Sequence, residues 1–499
     1  MNHTHQFHRL SEQDFARAIR INGDTTSSTP TVTTEPNGAT GSITRTTHMI
    51  YQGKRLEVSR CKDGLRDILD FVAKTPVNHI NVYPNQFSNG PFAKKPLIVD
   101  FDGELLLVVP SHDSQVIRFT TSDDDDHIHI HRHLLNPVEI HTKDGNDRII
   151  TEDGFSDIYA GAGDDDITVA GYSHVEGGEG NDEINAAGQG HCTLYGGPGD
   201  DTLKGSDNTA VILGGEGNDT LTGGGGHSII CAGPGDDFIE AGTGHNVIYT
   251  GEGSNEVEKL KPTDITYHNV KSELIVDCTN ITPEQMDAFP PGQIASHAIQ
   301  LEPKPLDLSA FVISGSPWFV GRAKDDLYLL NASPTGQRLL SVLEQAFRTS
   351  GKPITITELV PRVNGEFIPD DSSAAELAYI DHQKAGKPAY GGHIWYSARN
   401  GRLGAPSVIT LFHELCHAYN HVTGTKLRGT SLDGVDQHYP RNQIDNTELQ
   451  AVGLPTSEQA FDFDNDPSTP PTNTNPETFS ENGLRKELGW PLRTQYAID

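Results

Sequence analysis

Apolar and polar positions along the 499 residues change rhythm three times. From Met49 to Thr142, short apolar runs are separated by turn residues. Leu97 to Phe101, Glu104 to Val109, Gln115 to Thr120 and His127 to Leu134 read as strands, and Asp63 to Lys74 reads as a helix. Between Asp144 and Glu258 apolar residues recur singly after glycine-rich turns. From Leu306 the period lengthens: Pro334-Thr335-Gly336 opens a helix through Leu339, Leu340, Val342, Leu343 and Phe347. Phe319, Tyr328 to Leu330, Ile354 to Leu359 and His393 to Ser397 read as strands, the last beside a cleft where an extended substrate could pair with it. Val408 to His417 is a helix with no proline or glycine. Residues 1–48 are rich in Ser, Thr and Asn, with one amphipathic piece at Asp14 to Ile21, and predict a disordered leader.

The middle segment repeats itself. Gly161-Ala162-Gly163-Asp164-Asp165-Asp166-Ile167 recurs as Gly178 to Ile184, Gly197 to Leu203, Gly215 to Leu221 and Gly233 to Ile239, all G-x-G-x-D-x-apolar. The second aspartates, Asp165, Asp182, Asp201, Asp219 and Asp237, are spaced 17 to 19 residues apart. Glycine permits a tight turn, the apolar residue fills a coil, and carboxylate oxygens are hard ligands suited to Ca²⁺. The last turn, Gly251 to Asn255, carries Asn where Asp is expected. These residues resemble the nonapeptide repeats of RTX proteins, which implies a parallel β-roll over 144–258 with Ca²⁺ between its turns. Residues 259–305 read as a cap and linker, with Val257, Ile265, Leu274 and Ile275 available to close the roll.

Charge sharpens this picture. The chain carries −32 overall, and 144–258 holds 23 acidic residues against Arg148 and Lys204 alone. Such a surface excludes a phosphate-backbone binder, and the folded repeat needs cations to neutralise it. Five scattered cysteines without a CxxC predict buried thiols rather than disulfides or a cysteine metal site. No apolar run reaches the length of a membrane span. Ahead of the repeats, Asp123 to Asp126 lead into His127, His129, His131 and His133, which period-two alternation puts on one face, where adjacent pairs could bind a transition metal.

The sharpest chemistry is His413-Glu414-Leu415-Cys416-His417. One helical turn puts both imidazoles on one face, able to hold Zn²⁺ with Glu414 beside a reacting water. A third ligand is required. Thr423 stands where the metzincin extension needs histidine, and His421 reads as exposed. Asp433, Asp436, His438 and Glu448 are candidates. Glu448 is favoured because Asn446 to Val452 forms a short helix whose Leu449 and Val452 can pack on the first, as in gluzincins.

His413 to Asn420, Asn446 to Pro455 and Glu481 to Tyr496 together resemble the M91 peptidases, a family of type III effector proteases. The resemblance implies an endopeptidase that cuts host signalling kinases. Arg493 and Tyr496 are spaced as in clostridial neurotoxin light chains, a likeness that implies an oxyanion-stabilising pair. The polar leader is similar to those of type III secreted effectors.

The expected protein is therefore multidomain: a β-rich region over 49–143, an RTX-like parallel β-roll, then an α+β zincin-like metallopeptidase domain over 306–499. Its expected cofactors are Zn²⁺ and Ca²⁺. A secreted enzyme with a protein substrate and delivery into a host cell is the leading expectation. A calcium-binding adhesion protein with a passenger zincin domain is the alternative.

Overall fold

The computed structural model describes residues 18–24, 29–36, 42–63, 66–76, 79–84, 96–261, 263–276, 298–301, 306–359, 365–398, 405–432, 443–463 and 470–496. Two compact units emerge: Met1–Glu35 with Ile43–Cys192, and Pro36–Ser42 with Thr193–Asp499. The division falls inside the repeats, between Cys192 and Thr193.

In the first unit, Ser42–Gln52, Leu56–Asp63 and Arg66–Ala73 form an antiparallel meander, and Arg66–Ala73 then pairs in parallel with Val116–Thr120. The helix expected over Asp63 to Lys74 is thus a strand. Buried Ile68 and Phe71, with Phe71 stacked on Phe119 at 5.2 Å, explain why pairing across strands outweighs local helix propensity. Ile19–Asn22 and Thr31–Pro36 are strands within the stretch expected to be disordered, and Ser42–Gln52 begins there.

The chain then coils into rungs. His127–Ile130, Arg148–Thr151, Asp166–Ala170 and Glu183–Ala187 pair in parallel on one side. Val116–Thr120, Val138–Asp144, Phe155–Ala162 and Tyr172–Glu179 do so on the other. Ile128, Ile149, Ile167 and Ile184 stack in register with almost no exposure, so each rung adds one apolar residue to a continuous core.

The second unit repeats this pattern with Leu203, Leu221, Ile239, Val257 and Leu274 in register. The β-solenoid runs to about nine turns over 117–274. Ile265–His268, Glu273–Val276 and Ala298–Gln300 continue its ladders, so the segment read as a cap contributes further rungs. The two ladders differ in burial. Strands such as Thr220–Thr222 alternate, whereas Ser228–Cys231 and Asn246–Tyr249 are buried at every position. Their second face is covered: Tyr195, Leu213, Ile229, Cys231, Val247 and Tyr249 share one core with Phe319, Ala323, Leu327, Leu330, Leu484 and Leu488.

Those partners belong to the α+β region, built on a four-stranded sheet. β1 (Phe311–Ser314), β2 (Ile354–Glu358) and β4 (Gly392–Tyr396) are parallel, and β3 (Gly365–Pro369) runs antiparallel beside β4. β4 is therefore interior and β3 takes the edge, which moves the strand available to a substrate from His393–Ser397 to Gly365–Pro369. Around the sheet lie α1 (Pro317–Ala332), α2 (Pro334–Ser350), α3 (Ser372–Leu377), α4 (Ser407–Thr423), α5 (Asn446–Val452) and α6 (Glu481–Glu487). The strands expected at Phe319 and Tyr328 to Leu330 are replaced by α1. Its Pro at the first turn and the i, i+4, i+8, i+11 row of Phe319, Ala323, Leu327 and Leu330 bury one helical stripe.

Cys61, Cys192, Cys231 and Cys416 are buried, as expected, and Cys278 lies outside the described residues. Among the described residues no helix is long and apolar enough to cross a membrane.

Candidate functional site

The histidine-bearing helix α4 is held from its first residue. Ser407 Oγ donates to Asp326 Oδ2 at 2.7 Å and accepts from Arg322 at 3.0 Å, while Tyr396 Oη donates to the same Asp326 oxygen at 3.2 Å. All four residues are buried, so the start of the helix is anchored to α1 and β4 in a dry network. Leu411, Phe412, Leu415 and Cys416 then bury its apolar side, leaving His413 and His417 on the opposite one.

The second helix arrives through a polar ladder. Asn420 on α4 and Asn475 exchange two hydrogen bonds, at 2.8 and 3.0 Å, and Gln450 on α5 donates to Asn475 at 2.9 Å. Asp445 caps α5 and Gly453 ends it in a left-handed conformation. Glu448 is thereby aimed at the histidines. Its Oε2 lies 3.3 Å from His413 Nε2 and 3.4 Å from His417 Nε2, and the two nitrogens are 3.2 Å apart. Glu448 thus stands where the sequence expected a third ligand. Asp433, Asp436 and His438 lie outside the described residues.

Burial opposes charge here, yet neighbouring charges prevail. Burial pulls the His413 imidazole down, but Glu448 and Glu481 push it up to about 10. Burial raises the Glu448 carboxyl, but His417 and His413 hold it well below the carboxylate range. The cluster therefore demands positive charge between its members, and two imidazoles with one carboxylate are the donor set of a catalytic zinc site. The residues fit Zn²⁺.

Glu481 is the residue that sequence reasoning missed, although it opens the motif at Glu481 to Tyr496. It is 2% exposed, and its Oε2 accepts from His413 Nδ1 at 2.8 Å. That bond leaves Nε2 of His413 facing His417 and Glu448, where a metal could be held. Arg485 Nε donates to Glu481 Oε1 at 2.6 Å and Arg493 Nη1 to Oε2 at 3.2 Å. Burial raises this carboxyl, but His413, Arg493 and Arg485 bring it down to about 2. Arg493 therefore stands behind His413, on Glu481. Tyr496 reaches the cluster itself, its hydroxyl donating to Glu448 Oε2 at 2.7 Å.

Glu414 is 5% exposed, and burial raises its carboxyl. A Cβ added at Gly365, at the start of β3, would stand 2.4 Å from Glu414 Cγ and 2.5 Å from its Oε1. The edge strand thus makes room for this carboxylate only because it begins with glycine. His421 is 1% exposed, not exposed as its polar character suggested; it packs edge-on against Phe367, and burial pulls it down to about 4.

The aspartate ladder forms the other donor set. In the first unit the backbone N–H of Asp165 donates to Asp182 Oδ1 at 2.9 Å; in the second, Asp201 donates to Asp219 and Asp219 to Asp237, each at 2.9 Å. The other carboxylate oxygen of Asp165, Asp219 and Asp237 is buried without a hydrogen-bond partner. Burial, with neighbouring aspartates, pushes Asp165 and Asp237 up to about 8 and Asp219 to about 7. The orphaned, desolvated carboxylate oxygens of Asp165, Asp219 and Asp237 fit Ca²⁺. Asp147 continues the same register upstream of the first expected ligand: its N–H donates to Asp165 Oδ1 at 2.7 Å, and its own Oδ2 is buried without a partner.

Residues 307–496 match peptidase family M91, described as an effector protein. Residues 141–171, 195–230 and 232–258 match the RTX calcium-binding nonapeptide repeat. No curated protein and no solved structure matches the chain. The C-terminal region is thus an M91 peptidase domain and the middle of the chain an RTX β-roll.

Proposed function

We propose that this secreted effector peptidase is a zinc endopeptidase, with His413, His417 and Glu448 as the metal ligands. The observation that carries the reading is the convergence of His413 Nε2, His417 Nε2 and Glu448 Oε2 within 3.2 to 3.4 Å of one another, beside the buried carboxyl of Glu414. When bound, zinc would polarise the scissile carbonyl and lower the pKa of the attacking water.

The chain's own residues supply the rest. Glu414, desolvated and shifted towards neutrality, takes the proton of the attacking water and returns it to the departing amine. Tyr496 holds Glu448 in the resting site and turns its hydroxyl to the developing oxyanion once substrate is bound. Arg493 acts as a positioning residue through Glu481, which fixes the tautomer and rotamer of His413. The β3 edge, beginning at Gly365 beside Glu414, pairs with the substrate backbone and brings the scissile bond to the water.

The substrate class follows from the family: a host protein, of which a signalling kinase is the one the M91 resemblance implies. Asp165, Asp201, Asp219 and Asp237, within the matched repeats, and Asp182, on a rung between them, are the carboxylates that would bind Ca²⁺ in the roll. The test is zinc content and cleavage by the full chain in calcium. Glu414→Ala is expected to keep zinc and lose cleavage by at least ~10³-fold. Undiminished cleavage would sink the mechanism, and absence of zinc and cleavage in the native chain would favour the calcium-binding adhesion reading.

A further inference from the structure

The strand His127–Ile130 carries histidines that neither the peptidase nor the calcium ladder uses. It pairs in parallel with Arg148–Thr151, with Ile130 opposite Thr151, and the backbone N–H of Glu152 donates to Ile130 O at 3.0 Å. Glu152 therefore follows on the next rung beside His131. Period-two geometry turns His129 and His131 to the same side. His129 Nε2 lies 2.9 Å from Glu152 Oε1 and His131 Nδ1 3.5 Å from that same oxygen.

We propose that His129, His131 and Glu152 form a second transition-metal site, distinct from the peptidase centre and the calcium ladder, that takes a borderline divalent ion of the Zn²⁺ class. Two imidazoles and a carboxylate suit such an ion and not Ca²⁺, which prefers oxygen alone. One ligand atom from each residue lies within 4.8 Å of the other two, close enough for a single ion.

The surroundings hold these groups in place. The ring of His131 stacks on Tyr83 at 4.4 Å and lies 3.8 Å from that of His129. Arg132 donates to Glu152 Oε2 from Nε at 3.1 Å and from its backbone N–H at 3.3 Å, leaving Oε1 facing both imidazoles. Outer contacts of this kind orient metal ligands. The side chains are 25%, 12% and 24% exposed, so an ion can enter from solvent while the ligands stay ordered. An ion here would tie two successive rungs together on the unit's outer face, a covalent-like staple that hydrogen bonds alone do not provide.

The test is Zn²⁺ stoichiometry of the full chain in saturating Ca²⁺, by metal analysis after removal of free ion. The His129→Gln/His131→Gln double variant is expected to hold one equivalent fewer than the native chain, with the same calcium-loaded circular dichroism and the same peptidase activity. Glu152→Gln, which preserves size, is expected to weaken that equivalent at least ~10-fold. His127→Gln is expected to change nothing. Equal zinc in the double variant, unchanged affinity in Glu152→Gln, or loss of the equivalent in His127→Gln would each overturn the assignment.

Discussion

Tyr249, on the strand of the roll buried at every position, donates its hydroxyl to Glu487 at 2.9 Å, and Glu487 ends the short helix whose first residue, Glu481, accepts from His413. His227 Nε2, also on the roll, donates to Leu488 O at 3.0 Å. Within this unit the repeats thus hold the helix that orients His413, and the core shared by Tyr249, Leu484 and Leu488 makes the roll part of the peptidase fold.

Calcium removal is therefore expected to disable the peptidase as well as the roll. In a calcium titration with zinc content monitored and held constant, β-structure by circular dichroism and cleavage should rise with the same midpoint. Tyr249→Phe, which leaves Glu487 short of a donor, should lower stability by about 1 to 2 kcal/mol. Full cleavage in a chain whose roll has unfolded would break the link.

Glu481→Gln is expected to weaken zinc binding by roughly 10- to 100-fold, because the amide no longer fixes the His413 tautomer as a carboxylate does. Competition with a chromophoric chelator measures it. Arg493→Met should move in the same direction, since it acts through Glu481. A large fall in kcat at unchanged zinc affinity would instead assign Arg493 to the oxyanion.

Tyr496→Phe should separate the opposite way. Zinc content stays, KM changes little, and kcat falls by about 10² to 10³, the usual loss for one oxyanion donor. If zinc is lost in proportion to activity, the hydroxyl serves only to brace Glu448.

Gly365→Ala places a methyl group against the Glu414 side chain, which must swing away. Folding and zinc should persist while cleavage falls by an order of magnitude or more. Wild-type turnover in this variant would mean that the β3 edge can recede freely.

His421 sets a pH prediction. Its folded pKa of about 4 lies below the unfolded value of about 6.5, so between these values the unfolded chain binds more protons. The stability it permits is complete at pH 7 and is lost as pH falls through that window, by up to roughly 3 kcal/mol. His421→Gln should flatten the slope of stability against pH between 6.5 and 4, and identical slopes in urea melts at several pH values would refute the assignment.

The periodic parts of this protein were legible in its residues. H-E-x-x-H on an unbroken apolar helix and G-x-G-x-D repeats at 17 to 19 residues are local codes, because helix and rung geometry repeat along the chain itself. Glu448 was reachable too, as an acid in the first turn of a short helix. Tertiary structure alone decided the rest. Glu481 lies 68 positions from His413, and no spacing rule joins them; only packing of α6 on α4 brings the carboxylate to Nδ1. Gly365 belongs to no motif of the sequence, and only the strand it begins, passing beside Glu414, gives it a role. His421 had helical company but no visible burial, and Phe367, from the sheet, supplies it. Arg66–Ala73 reversed its local preference because partners far along the chain offered better burial, whereas Pro317–Ala332 carries a helical stripe that the strand reading passed over. Ile229 with Ile230 and Val247 with Ile248 bury an apolar residue on each face of their rungs, and only the helices packed upon them explain why the roll is built into the peptidase.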